Sequence, residues 1–327
     1  PLLVGACTVG PDYHTPQIKM EAGYQPDAQA PAAAQVNAAW WNALNDKQLN
    51  ELIATATANN LNLQQAQARI REARAERAIV ASADWPFVDA NASYQRSRLS
   101  ENAAPYNAFN PSVFPWEFNT YQLGFDASWE IDVFGGNRRA VEAATAHLQA
   151  VLAESHAVLI TLQGDVARNY VALRSYQRQR LLAQHNLELQ TQILNLTKDR
   201  VKNGVGSELD VSRAAALVAA TQAEIPLFDR GEWQTLHRLA VLTHQPLEKL
   251  LGLREVAAIP VAPEAVLVGV PADLLRRRPD IMQAERQLAA ATARVGMAEA
   301  DLYPKLSLTG FFNMQAESLD NIFDWRS

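Results

Sequence analysis

Cysteine is almost absent. The 327 residues contain one, Cys7, so no internal disulfide can form. No apolar run reaches the ~18 residues of a membrane-crossing helix, and none is predicted. A β-barrel strand escapes that test, because only its alternate residues face lipid. Basic residues are outnumbered by acidic ones, 29 to 35. The net charge is −6 and no basic stripe occurs, which argues against a nucleic-acid partner. The histidines, His14, His147, His156, His185, His237 and His244, lack metal-ligand spacing. There is no nucleophile motif, no phosphate loop and no dinucleotide-type glycine signature; Gly204-Val205-Gly206 is too short to be one. The sequence points away from an enzyme and asks for no metal or diffusible cofactor. Charged residues are 20% and Ala and Leu are abundant, so the chain is not of the disordered class.

What is present is a strict alternation from Tyr121 to Val133. Tyr121, Leu123, Phe125, Ala127 and Trp129, continued by Ile131 and Val133, share an oily face. Gln122, Asp126, Ser128, Glu130 and Asp132, with Gly124, share a wet and acidic one. Soluble strands usually run five or six residues, whereas a membrane-crossing strand needs about 9–11. After Gly135-Gly136 the period changes, and helix-forming sequence continues for about 65 residues to Lys202, a rod of roughly 100 Å. A membrane-type strand feeding so long a helix points to a conduit.

Upstream, residues 8–38 are rich in Pro, Ala and Gln without a period and read as an extended surface arm. Asp46 is placed to cap a helix from Lys47 to Ala58, and a second helix follows from Asn62 to about Asp84. Pro86 introduces a strand, Phe87 to Arg98, in which Val88, Ala90, Ala92 and Tyr94 oppose Asp89, Asn91, Ser93 and Gln95. The long helix carries a coiled-coil seam at Leu148, Leu152, Ser155, Leu159, Leu162, Val166, Asn169 and Leu173. Gly204 suits its stop, Ser207 and Asp210 suit the next start, and the return helix is expected to reach Leu251 with a kink at Pro226. Aligning Ala66 with Ala284 shows an internal repeat. Ile70, Ala73, Ala75 and Trp85-Pro86 fall on Leu288, Ala291, Ala293 and Tyr303-Pro304, and an alternating strand (Leu306, Leu308, Gly310, Phe312) follows. The chain starts at Pro1 within a short apolar stretch, Leu2-Leu3-Val4, and a complete second copy would extend well beyond Ser327, so both ends read as cut.

Five blocks in order resemble the TolC-like outer-membrane factors of tripartite efflux systems, most closely their NodT-like or OprM-like lipoprotein branch. They are Cys7-Thr8-Val9-Gly10-Pro11-Asp12-Tyr13; Trp40-Trp41 with Leu44 and Leu49; and Trp129-Glu130-Ile131-Asp132-Val133-Phe134-Gly135. Arg200-Val201-Lys202-Asn203-Gly204 with Asp210-Val211 is the fourth, and Val270-Pro271-Ala272-Asp273-Leu274-Leu275-Arg276-Arg277-Arg278-Pro279-Asp280-Ile281 with Ala284-Glu285 the fifth. The resemblance implies a mainly α fold with membrane β-strands: a long α-helical hairpin for an α-barrel tunnel, and a β-hairpin for a shared trimeric 12-stranded outer-membrane β-barrel. On that scheme 1–7 is the remnant of a signal peptide with the lipidation site, 8–60 an arm and equatorial-type helix, and 61–86 a periplasmic helix. Residues 87–133 form the transmembrane hairpin with an extracellular loop at 99–118, and 137–255 the coiled-coil hairpin with its tip at 203–210. A connector (256–278), a second-repeat helix (279–303) and the start of a second hairpin (304–327) complete the chain. The family's gate residues fall in the part of the second repeat that is not present.

The same resemblance implies an exit duct that exports small molecules such as drugs, passively, from the outer membrane of a Gram-negative bacterium. Its partners would be two further copies of itself, a periplasmic adaptor, an inner-membrane pump of RND type and outer-membrane lipid. Val4-Gly5-Ala6 before Cys7 suits cleavage and acylation, and Thr8 in the next position fits outer-membrane sorting. Gly204, Val205, Gly206, Ser207, Leu209 and Asp210 match the tip that family members present to the adaptor; Val205 and Leu209 are apolar where a bare turn needs no apolar side chain. Arg276-Arg277-Arg278 reads as structural, pairing with nearby acids, ahead of a phosphate or lipid site. The acidic strand face reads as a solvated barrel interior that could also bias a pore toward cations. Two alternatives stay open: a periplasmic adaptor lipoprotein, although no lipoyl-like half-motif flanks the hairpin, and a channel for type I protein secretion.

Overall fold

The computed structural model describes residues 8–16, 39–100, 116–262 and 275–326. These are mainly helical: α1 (Lys47–Asn59), α2 (Leu61–Ala81), α3 (Gly136–Lys202), α4 (Glu208–Thr243) and α5 (Pro279–Ala300), with strands β1 (Phe87–Arg98), β2 (Glu117–Ile131) and β3 (Leu306–Ala316). Among the described residues no helix is long and apolar enough to cross a membrane. Contacts divide the chain into two units. One comprises Pro1–Thr15, Glu72–Gln149 and Glu285–Ser327, the other Pro16–Arg71 and Ala150–Ala284.

In the second unit the Asp46 carboxylate accepts the Leu49 N–H at 3.0 Å and starts α1. Leu49, Leu52, Ile53 and Ala56 then fall on one buried face. They pack with Leu162, Val166, Tyr170 and Leu173 of α3, Leu236, Leu239 and Leu242 of α4, and Leu250 and Leu253. Tyr170 is fully buried where the seam reading placed Asn169; Asn169 instead donates to the Asp165 carbonyl on its own helix. Further toward the start of α3 the buried stripe is Ala143, Ala146, Ala150 and Ala153, not Leu148 and Leu152. Alanine there permits close helix approach, and in the first unit Ala146 clusters with Ala289 and Ala290 of α5.

The return helix ends earlier than expected. His244 takes a left-handed backbone (φ 50°) and its N–H reaches the Ala240 and Val241 carbonyls. Pro246 follows, and Leu247–Arg254 is a 3-10 helix rather than more of α4. Pro226 lies inside α4. Arg174 sits in this core with no exposed surface. It donates to the Gln177 side chain and to the Leu253 and Glu255 carbonyls at 2.8–2.9 Å, and its guanidinium lies 4.9 Å from the Tyr170 ring centroid. Glu232 is equally buried and is paired with Arg180 and Arg254 at 3.3 and 3.1 Å. Buried charges of this kind need such partners.

In the first unit the sheet order is β1-β2-β3, both pairings antiparallel. β2 starts four residues before the alternation was read to begin, and it stops at Ile131, two residues before the alternation was read to end. The Val133 N–H turns back onto the Ile131 carbonyl at 2.8 Å, and Gly135 at φ 84° redirects the chain into α3.

Candidate functional site

Register decides what the sheet can do, since residues directly opposite on antiparallel strands share a face. Val88, Ala90, Ala92 and Tyr94 oppose Ala127, Phe125, Leu123 and Tyr121. Those residues in turn oppose Gly310, Phe312, Met314 and Ala316, and Trp129 opposes Leu308. All five residues read as lipid-facing therefore lie on one apolar face spanning three strands. From Tyr121 to Ile131 that face runs roughly 34 Å along the strand, or about 25 Å at a 45° tilt, the height of an outer-membrane apolar band. Aromatic groups mark both ends: the Tyr94 and Tyr121 rings are 4.8 Å apart, and the Trp129 indole N–H donates to the Asp84 carbonyl at 3.2 Å.

The other face carries Gln122, Asp126, Ser128 and Glu130 with Asp89, Asn91, Ser93, Thr309 and Asn313. Asn91 donates to the Asp126 carboxylate. Gly124 leaves room for the Asn313 side chain, which occupies the place a Cβ would take. Asp132, read as part of this wet face, is a correction. It lies past the strand end, and its carboxylate accepts the Arg138 backbone N–H at 3.0 Å and the Arg138 guanidinium at 3.3 Å. The acid serves the positive start of α3 instead of the sheet.

At the tip, the Val205 N–H bonds the Arg200 carbonyl at 2.8 Å and the Gly204 N–H the Val201 carbonyl at 2.9 Å. This is a Schellman closure, and Gly204 at φ 78° supplies its left-handed residue. Gly206 at φ 128° continues the reversal. Ser207 and Asp210 form a reciprocal capping box: the Ser207 hydroxyl oxygen accepts the Asp210 N–H, and the Asp210 carboxylate accepts the Ser207 N–H at 3.2 Å. The Ser207 bonds hold the Asp210 carboxyl below its ordinary value. The cap is therefore complete above the usual carboxylate range and weakens as pH falls through the lowered pKa. These bonds close α3 and cap α4. Val205 and Leu209 are 55% and 57% exposed, and their side chains take no part in these bonds.

Cys7 lies outside the described residues. The segment after it was read as an extended surface arm, and its residues 8–13 are tied down by specific bonds. The Val9 N–H bonds the Phe134 carbonyl at 3.0 Å. Arg139, only 4% exposed, donates to the Val9 and Gly10 carbonyls at 3.1 Å, to Asp12 at 2.7 Å and to Glu142 at 2.8 Å. A Cβ on Gly10, at φ 87°, would meet the Gly296 backbone of α5 at 2.3 Å, and a Cβ on Gly296 would meet the Arg139 side chain at 2.9 Å. The Tyr13 hydroxyl donates to Glu285 at 3.0 Å, beneath the Arg286 guanidinium. The sequence signal was the pairing of Asp12 with an Arg-Arg step after Gly135-Gly136-Asn137, invisible without the fold. Arg139→Ala is expected to cost about 1–3 kcal/mol, less than a fully buried pair because Asp12 and Glu142 are partly in water. Thermal unfolding measures the cost, and cleavage of the freed arm by protease reports its release. Unchanged melting with an arm as resistant as wild type would mean the guanidinium does not hold it.

An amphipathic antiparallel sheet joined to a long helical hairpin is the build of an outer-membrane channel protomer. The solved outer-membrane channel OprN superposes with a TM-score of 0.88 at 36% identity, covering 98% of this chain and 71% of that one. The chain belongs to the outer membrane efflux protein family, whose model matches residues 52–244 and 270–327. It is 33% identical over 311 residues to nodulation protein T of Rhizobium leguminosarum bv. viciae, covering 95% of this chain and 62% of that protein. It is also 33% identical over 320 residues to the pyoverdine export outer membrane protein OpmQ of Pseudomonas putida, covering 98% of this chain and 67% of that protein. The chain thus spans somewhat less than two thirds of the length of the nodulation relative.

Proposed function

We propose that this chain belongs to the exit duct of an efflux system in a Gram-negative outer membrane. Three copies of the protein close a β-barrel in the bilayer and carry a helical tunnel into the periplasm. The carrying observation is the three-stranded register, which aligns one unbroken apolar face and leaves β1 and β3 as open edges. In lipid such edges must be paired, so the sheet requires strands beyond those described, and closure by copies supplies them. The wet face then lines the lumen. Transport is passive, with energy supplied by an inner-membrane pump of RND type through an adaptor docked on the Gly204–Asp210 tip. Names of relatives such as the toluene efflux pump outer membrane protein TtgF and OpmQ support small-molecule export. The large apolar sheet face weighs against the alternative of a periplasmic adaptor lipoprotein.

A lipid on Cys7 would add a second hold on the membrane. Thr8, the next residue, packs against Gly135 at the base of the sheet, within reach of the bilayer boundary. The test is reconstitution of the full-length protein into planar bilayers, with palmitate labelling of the precursor and its Cys7→Ser variant. Discrete trimer-dependent conductance supports the duct, and label lost only in Cys7→Ser supports the anchor. A trimer that inserts and never conducts overturns the first, and equal labelling the second.

A further inference from the structure

Two aromatic residues break the polar pattern of the wet face. Phe311 is 79% exposed and Phe87 63% exposed. Phe311 lies directly opposite Asp126, which lies directly opposite Asp89, so one row across the sheet reads Asp89, Asp126, Phe311. The adjacent row, about 7 Å along the strands, reads Phe87, Ser128, Thr309. On the other side the row holds Asn91, Gly124 and Asn313, where Gly124 contributes no side chain. The face also carries Glu130. Among the described strand residues it carries no Lys or Arg, since Arg96 and Arg98 lie on the opposite face at the loop end. Lys305, just before β3, is engaged by Asp301 at 2.9 Å.

Neither feature is explained by folding. Two carboxylates set directly across a strand pair repel, and among the described residues only Asp126 has a partner, the neutral Asn91 amide. The two rings stand on the polar face of the edge strands β1 and β3, apart from the apolar face on which Phe125, Trp129 and Phe312 lie. A solute that is both cationic and aromatic satisfies both: its charge faces Asp89 and Asp126 while its rings lie on Phe311 and Phe87. We propose that Phe87, Phe311, Asp89 and Asp126 form a contact patch on the duct wall for amphiphilic organic cations. This rests on the reading of the wet face as lumen.

The test uses the full-length protein in planar bilayers and three probes. Tetraphenylphosphonium is aromatic and positive, tetraethylammonium positive and not aromatic, and tetraphenylborate aromatic and negative. Tetraphenylphosphonium is expected to reduce the current at about tenfold lower concentration than tetraethylammonium, and tetraphenylborate to have no such effect. Phe311→Ser with Phe87→Ser should abolish that advantage and leave the potassium-to-chloride reversal potential unchanged. Asp126→Asn with Asp89→Asn should weaken block by both cations and shift the reversal potential toward chloride. Block by tetraphenylphosphonium that survives the double Ser variant overturns the patch, as does a double Ser variant that melts lower and blocks normally, which would make the rings packing groups for a neighbouring strand. The lumen reading is checked separately in a Cys7→Ser background. Ser128→Cys must react with a charged, membrane-impermeant thiol reagent and Ala127→Cys must not. An unreactive Ser128→Cys overturns both readings, whereas a reactive one with unaltered block overturns the patch alone.

Discussion

Val205→Glu combined with Leu209→Glu is expected to abolish efflux while the protein still folds, trimerises and inserts. The turn that holds these residues is built from backbone bonds of Gly204 and Val205 and from the Ser207–Asp210 cap. Neither apolar side chain takes part, and both are more than half exposed. Glutamate at Leu209 falls in the first turn of α4, where the helix dipole favours a negative charge. Glutamate at Val205 follows the end of α3, where Arg200 and Lys202 offset the unfavourable dipole. The cost to folding should stay within about 0.5 kcal/mol per site. An adaptor that buries the two side chains would instead have to desolvate two carboxylates, which is far more costly. Substrate export by cells and adaptor crosslinking at the tip measure the outcome. A variant with normal trimer yield that still exports at wild-type rate would show that the tip only reverses the chain and that the adaptor grips elsewhere.

Ala127→Arg in the full-length protein is expected to destabilise the barrel by about 2–4 kcal/mol, the cost of a cation on the lipid face near mid-bilayer. Ser128→Arg, one residue away, should be tolerated. The two positions differ in face and in little else. Ala127 lies between Val88 and Gly310 on the apolar side, and Ser128 between Phe87 and Thr309 on the wet side. Equilibrium unfolding from bilayers or detergent, with heat-modified gel mobility as a second readout, separates them. A larger loss for Ser128→Arg would reverse the assignment of the faces and with it the duct reading.

Much of the fold class was legible because periodicity is local. The alternation through Tyr121 to Ile131 gave the two faces of β2, since a strand has a period of two whatever it pairs with. Asp46, and Ser207 with Asp210, could be read as caps because a cap needs only the residues within one turn. The errors have local causes too. Asp132 continued the alternation in sequence, but Gly135 bends the chain, and the carboxylate is drawn to the start of α3. The return helix was carried past His244 because a histidine in a left-handed stop leaves no compositional mark as glycine does.

Other features were not legible at all, because they bring together groups far apart in the chain. Arg139 reaching Val9, Gly10 and Asp12, Arg174 reaching Gln48 and Leu253, and Glu232 held between Arg180 and Arg254 are of this kind. A buried guanidinium or carboxylate looks in sequence like a surface charge; only packing reveals that water has been replaced by partners. The sequence by itself determined the period of each element, the position of the Gly204–Asp210 turn and the segregation of oily from wet residues, all set by backbone geometry over a few residues. The tertiary structure alone decided the register that merges three strands into one apolar face and one row of Asp89, Asp126 and Phe311, and the docking of residues 8–13. Register and docking are sums over residues distant in sequence, and no short-range preference specifies them.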